Sequence, residues 1–293
     1  MGFLDQLRDR YQKSNMLLRL IYINVAVFLV VNIIWVFGFL LGADKSLLQV
    51  MIEWLAVPSD LTKLLTRPWT VVTHMFFHKG IWHILMNLLW LYIFGRIFLQ
   101  YLNEKRLLSL YLVGGFSGAA LFILAFNVFP VFEPGVPALG ASAAIMAVVV
   151  AIAYYRPNYT IHLLFLGPVK IKYIAIFALV IDFFSIPGQN AGGHIAHLGG
   201  AIFGFFYIYQ LMQGVNITRG FDRVMDNLFA LLKPRPRFRV THKRPRSDIE
   251  YNKQKVEHQK RIDKILEKIS KNGYESLTQE EKEILFKQGG GQS

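Results

Sequence analysis

The sequence predicts an all-α membrane protein, a bundle of six transmembrane helices followed by a small helical cytoplasmic tail. Three observations carry this. Apolar residues make up 54% of the chain and charged residues 17%, where a soluble domain carries about 25% charged residues. Six apolar runs of spanning length lie between residues 17 and 212. The charge is gathered at one end, with 18 of the 32 Lys and Arg after residue 212. The absence of cysteine excludes a disulfide scaffold, a thiol nucleophile, an iron–sulfur cluster and a cysteine zinc site. The net charge of +13 reads as membrane topology rather than as a nucleic-acid footprint.

Taken in order, residues 1–16 form a short polar segment and residues 17–212 the membrane domain. Residues 213–248 form a basic juxtamembrane linker and residues 249–293 a small helical tail. The first span, 17–42, has no small-residue cleavage site and is too long for a signal peptide, so it reads as a retained anchor. The others fall near 82–102, 106–128, 139–155, 171–186 and 192–212. Lys and Arg favour a cytoplasmic N-terminus and C-terminus, since the segments 129–138 and 187–191 carry none of them. Spans two, four and six then start from the same face, and a bacterial inner membrane is the expected location.

The few polar residues within the spans gather at those three starting points. The second span opens with His83 and Asn87, an i, i+4 pair on one face. The fourth opens Gly140-Ala141-Ser142-Ala143, and the sixth carries His194 and His197 in its first two turns. An ionisable group inside a span is costly and by default functional. The fourth span is short for a hydrocarbon core of about 30 Å, which places its start below the surface. The preceding Glu133–Leu139 segment, with Pro134, Gly135 and Pro137, is expected to dip into a wet cavity. Serine needs an adjacent base, and contact between spans four and six would let His197 take the Ser142 proton. His83, Asn87 and the Ser142 backbone N–H are candidate oxyanion donors. Gly200 and Gly204 form a GxxxG for close helix approach, with Gly140 as the expected partner on the fourth span.

At these residues the sequence resembles the rhomboid family of intramembrane serine proteases. His83-Ile84-Leu85-Met86-Asn87 resembles its HxxxN, Gly140-Ala141-Ser142-Ala143 its GxSx, and the run from Ala196-His197 to Gly204 its AHxxGxxxG. The resemblance covers roughly residues 45 to 212. It implies a Ser142–His197 dyad, an oxyanion site at His83, Asn87 and the Ser142 N–H, transmembrane-helix proteins as substrates, and cleavage in or near the outer leaflet. No metal or cofactor is implied.

Three positions depart from the pattern. Thr70 follows Pro68-Trp69 where the family often has arginine, which puts the polar anchoring of the 43–81 loop in question. Ala143 follows the nucleophile where glycine is frequent, and is expected to tighten the substrate cleft. Met146 stands where an aromatic ring often packs against the histidine. His194, Met146 and Trp69 are candidate cavity-lining residues, while His74 and His78 read as interfacial. Asp182, the one acid of the fifth span, reads as an interfacial hydrogen-bonding residue, with a triad role as the alternative.

The linker, notably Lys233–Arg239 and His242–Arg246, is expected to lie against anionic headgroups. It has no folded module for nucleic acid. Val256, Ile262, Ile265, Leu266 and Ile269 approximate helical spacing, Asn272-Gly273 is a stop, and Thr278–Glu281 is a capping box for a helix through Phe286. Gly289–Gly291 is expected to fray. The oligomeric state is left open. Two other functions compete with proteolysis: a metal or haem redox protein using His83, His194 and His197, and a catalytically silent client-binding relative.

Overall fold

In the computed structural model, residues 2–42, 46–133, 135–164, 167–232 and 248–289 are described. The basic runs 233–239 and 242–246, Pro134 and Gly290–Gly291 lie outside them. The chain divides into two compact units, 1–233 and 234–293.

The first unit is a helical bundle. An amphipathic α1 (Phe3–Lys13) leads into α2 (Met16–Leu40). The first turn of α2 has its orphan N–H groups covered by Asn15, which accepts from Leu18 N, and by Glu104, which accepts from Met16 N at 2.8 Å. A loop follows, built from α3 (Ser46–Leu55), β1 (Val57–Pro58), α4 (Leu61–Thr66), α5 (Thr70–Thr73) and a 3-10 turn over His74–Phe76. Then come α6 (Ile81–Tyr101), α7 (Glu104–Val128), β2 (Pro137–Ala138) and α8 (Ser142–Tyr155). A hairpin of β3 (Thr160–Leu163) and β4 (Gly167–Lys170) leads to α9 (Ile171–Phe184), α10 (Ala191–Met212) and α11 (Arg219–Leu232).

Six helices thus form at the six apolar runs. Four of them (α2, α6, α7 and α10) are long and apolar enough to cross a membrane. The 14-residue α8 and α9 reach only about 21 Å at about 1.5 Å per residue. The fourth helix also begins at Ser142 rather than Leu139, because Gly140 holds φ +116°, a left-handed value that no helix contains.

The two short ladders are departures from an all-helical reading. The β3–β4 hairpin pairs Thr160 with Lys170 through Leu163 with Gly167, at an end of the bundle where the Arg156 guanidinium sits 4.5 Å over the Tyr101 ring. The β1–β2 ladder joins Val57 to Ala138 and Pro58 to Pro137, across some eighty residues of sequence. Ser59 extends it: its N–H donates to Val136 O, its Oγ accepts from Gly135 N, and its carbonyl accepts from Asn127 Nδ2.

At the centre α8 is buried along nearly its whole length and wrapped by α7 and α10. Close approach comes from small residues rather than from a hydrophobic drive, which is weak between helices in lipid. A Cβ at Gly200 or Gly204 would run into the backbone of Ala143 or Ala147, and one at Gly114 would meet Ala147 Cβ. The glycine motif of α10 therefore packs on Ala143 and Ala147, and Gly140 is not its partner. Ala143 is likewise turned into this interface, 3% exposed, instead of narrowing a cleft.

Amphipathic α11 is pinned to the start of α7 by Ser109, whose Oγ donates to buried Asp222, and by the Lys105–Asp226 ion pair. Its Val224, Leu228, Phe229 and Leu231 are exposed.

The second unit holds α12 (Asp248–Asn272), a 3-10 turn over Tyr274–Ser276 and α13 (Gln279–Gly289). Gly273 ends α12 at φ +79°, its N–H donating to Ile269 O. The Thr278–Glu281 capping box forms, with Thr278 N–H donating to Glu281 at 2.8 Å and Glu281 N–H to Thr278 Oγ1 at 3.4 Å. Ile262, Ile265 and Leu277 are buried, whereas Val256 and Leu266 of the apolar stripe remain exposed.

Lys268 donates to Glu281 at 2.8 Å, and this bond, with that from Thr278, holds the Glu281 carboxyl below the usual glutamate range. A carboxyl with a depressed folded value stabilises the module above its ordinary pKa, and that contribution is lost as pH falls through the lowered value. In the full chain Lys268→Ala should move the Glu281 titration, followed by its ¹³C carboxyl resonance, up toward the ordinary range, with the part held by Thr278 remaining.

Candidate functional site

The start of α8 is held from three directions. Gly140 N–H donates to His74 O at 2.8 Å, and Ala141 N–H donates to His78 Nε2 at 3.3 Å. The His74 ring bonds Thr70 O through Nδ1, and the His78 ring contacts Phe76 O through Nδ1 at 3.3 Å. Since Nε2 of His78 accepts, Nδ1 carries its proton. Both rings are buried, and burial pushes the His74 and His78 pKa values down to about 4. They are therefore neutral scaffold groups, in place of the interfacial residues expected.

This bracket leaves Ser142 as the first residue of α8, with Ala141 at the cap. Its N–H is one of the orphan donors of the helix N-terminus, at the positive end of the macrodipole. The His83 ring fits against Gly140, where a Cβ would lie 2.8 Å from Nε2. It also meets the His78 ring edge-on, centroids 5.0 Å apart. Asn87 is buried and spends one amide hydrogen on His83 O at 2.8 Å, and among the described residues no hydrogen bond takes the second.

His197 is fixed from its other side. Its Nδ1 lies 2.8 Å from Asp182 Oδ1, and His194 Nδ1 is 2.8 Å from the same oxygen. A carboxylate only accepts, so both imidazoles carry their proton on Nδ1, and His197 Nε2 is left as the acceptor. Asp182 is 6% exposed and hydrogen-bonds both rings, the bonding role expected of it, from a buried position. The sequence signal was its place near the end of the fifth span; the contact depends on how α9 leans against α10.

A cavity of about 750 Å³ joins these groups. Its lining includes His83, Asn87, Ser142, Met146, Asp182 and His197, together with Pro137–Leu139 of the segment expected to dip. Among the described residues no hydrogen bond links Ser142 Oγ to His197; they meet as neighbours across this space.

Two of the expected lining residues lie elsewhere. His194 is engaged with Asp182, and Trp69 stacks on Trp54 at 5.6 Å with its Nε1 donating to Trp54 O at 3.0 Å. The loop keeps a polar anchor despite Thr70. Arg67 supplies it, donating to Glu53 O at 2.8 Å and lying 4.9 Å over the Trp54 ring, while buried Thr70 bonds Arg67 O. A ligand set of His83, His194 and His197 is not assembled, since His83 belongs to the Gly140 side. Among the described residues the group with metal-ligand geometry is Asp182, His194 and His197.

A model of the Rhomboid domain matches residues 65–214, just over half of the chain. The chain belongs to the rhomboid family. Residues 247–287 match a family of unknown function, DUF6576. Among curated rhomboid relatives, RHOMBOID-like protein 12, mitochondrial, from Arabidopsis thaliana is 31% identical over 144 residues, 45% of this chain and 43% of the relative. Rhomboid protein 1, mitochondrial, from Saccharomyces cerevisiae is 30% identical over 160 residues, 51% of this chain and 44% of the relative. The presenilin-associated rhomboid-like protein, mitochondrial, from Bos taurus is 29% identical over 201 residues, 68% and 49%. The rhomboid chain described here spans about half the length of the curated relatives it matches.

These names overturn the expected bacterial inner membrane, because the relatives are mitochondrial proteins. The expectation failed for a physical reason. Lys and Arg asymmetry reports which side of a bilayer a loop faces, and carries no information about which organelle owns the bilayer.

Proposed function

We propose that this rhomboid is an intramembrane serine endopeptidase. The observation that carries the reading is the shared cavity: Ser142 at a helix N-terminus faces it, and so does His197, with Nδ1 held by a buried carboxylate. Ser142 Oγ attacks a substrate carbonyl while His197 Nε2 takes its proton. The oxyanion is met by the Ser142 N–H, the His83 ring and the second amide hydrogen of Asn87. His197 then protonates the leaving amine, and a cavity water releases the acyl group by the same route in reverse. A substrate transmembrane helix has to unwind locally to place its backbone here, which favours small or helix-breaking residues at the cut. The relatives' names support a mitochondrial membrane as the setting. Anionic headgroups are the proposed surface for the basic juxtamembrane segment.

Client binding without cleavage is the second reading, favoured by the missing Ser142–His197 hydrogen bond; catalytic bonds are, however, often long before substrate arrives. A fluorophosphonate probe applied to the full chain in proteoliposomes decides. The proposal expects one adduct, on the peptide containing Ser142, and cleavage of a single-span test substrate. Absence of both would leave the client-binding reading standing.

Asp182→Asn removes the charge beside His197 and keeps an acceptor of the same shape. On the proposed mechanism kcat should fall by roughly ten- to a thousandfold, with KM and thermal stability little changed. A loss of stability equal to the loss of activity would mark Asp182 as merely structural.

A further inference from the structure

We infer that Asp182, His194 and His197 form a binding site for a borderline transition-metal ion of the zinc class, and that occupancy switches the serine off. The site is assembled from the end of α9 and the first two turns of α10, where His194 and His197 lie one turn apart. Their donor atoms and the carboxylate oxygen all lie within 4.8 Å of one another, with both Nδ1–Oδ1 distances at 2.8 Å. Zinc bonds imidazole nitrogen and carboxylate oxygen at about 2.0–2.2 Å, so tetrahedral donors stand about 3.3 Å apart. The two Nδ1–Oδ1 contacts have to open by about half an ångström, and the two histidine donors, within 4.8 Å of each other, have to settle to the same spacing, to admit the ion. Two imidazoles and one carboxylate are a donor set suited to zinc and its neighbours rather than to calcium or magnesium. Asp182 and His197 also line the cavity, from which water fills the remaining position.

The effect on chemistry follows from where the protons go. In the metal-free site each imidazole holds one proton on Nδ1 and gives it to Asp182. A metal bound to Nδ1 moves that proton through cavity water to Nε2 of the same ring, and no proton is gained or lost overall. His197 then presents N–H to Ser142 where the reaction needs a lone pair. This consequence rests on the proteolytic reading; the metal site itself does not.

The test titrates Zn²⁺ onto the purified full chain in nanodiscs, following heat of binding and, in parallel, fluorophosphonate labelling. Native protein and a control, His162→Ala on the exposed hairpin, should bind one ion per chain with equal affinity. His194→Asn and Asp182→Asn should bind at least roughly tenfold more weakly. Zn²⁺ should suppress labelling of the native chain, a chelator should restore it, and His194→Asn should label whether or not Zn²⁺ is present. Mg²⁺ and Ca²⁺ should do nothing. Equal zinc affinity in all four proteins would overturn the site, and tight binding with unchanged labelling would overturn the switch. The heat signal reads the site even if no serine is labelled, so failure of the proteolytic reading shows separately.

Discussion

On the proteolytic reading, Ser142→Ala and His197→Ala are each expected to cut the rate of cleavage of a transmembrane substrate by about four to six orders of magnitude, and the double variant by no more than either alone. A nucleophile and its base act as one unit, so losing one removes nearly all that both supply. What survives is the part of the site that polarises the carbonyl without attacking it, namely the α8 N-terminus, His83 and Asn87. Initial rates in proteoliposomes, at fixed protein-to-lipid ratio, read this directly. The folded state should tolerate both changes, because Ser142 and His197 line the cavity and Asp182 keeps its bond to His194 when His197 is lost. Single variants within tenfold of the native rate would mean that another group does the chemistry.

Gly200→Val should produce a large loss of stability. A Cβ there would overlap the carbonyl of Ala143, and at Gly204 that of Ala147; neither neighbour can yield, since each is the backbone of a buried helix. Overpacking of this kind ordinarily costs about 1–3 kcal/mol and more where backbone must move. Here α8 and α10 have to separate, which also draws His197 away from Ser142. Thermal unfolding followed by circular dichroism should show a lowered midpoint for Gly200→Val and a smaller loss for Gly200→Ala. Gly220→Ala is the control, since a Cβ at Gly220 meets nothing within 4 Å.

Much of this architecture was legible because a membrane chain has so few charges. Uncharged runs marked the helices, and against them His83, Asn87, Ser142 and His197 stood out at one depth. The legible features are local: period, length and spacing within one helix. What escaped was contact between distant segments. The grip of Asp182 on His197 depends on the tilt of α9, which no spacing encodes. Spacing alone reads His74 and His78 as interfacial, whereas the His74 carbonyl accepts from Gly140 N–H and the His78 ring from Ala141 N–H. Gly140 was assigned to helix packing because its neighbours in the motif pack helices, yet its φ and the His83 ring are what demand a residue without a side chain. The β1–β2 ladder is two residues long on each side, below any periodicity signal.

That ladder and the order of the helices bear on how the protein is made. The segment leading into Ser142 is clamped by residues some eighty positions earlier, and the histidine facing the serine lies more than fifty positions later, on the last of the six helices formed at the apolar runs. In chain order Ser142 therefore comes first, His197 later, and only then the helix α11 that fastens to Ser109 and Lys105. On the proteolytic reading, Ser142 has no base until α10 docks, so assembly of the bundle itself would hold the site silent.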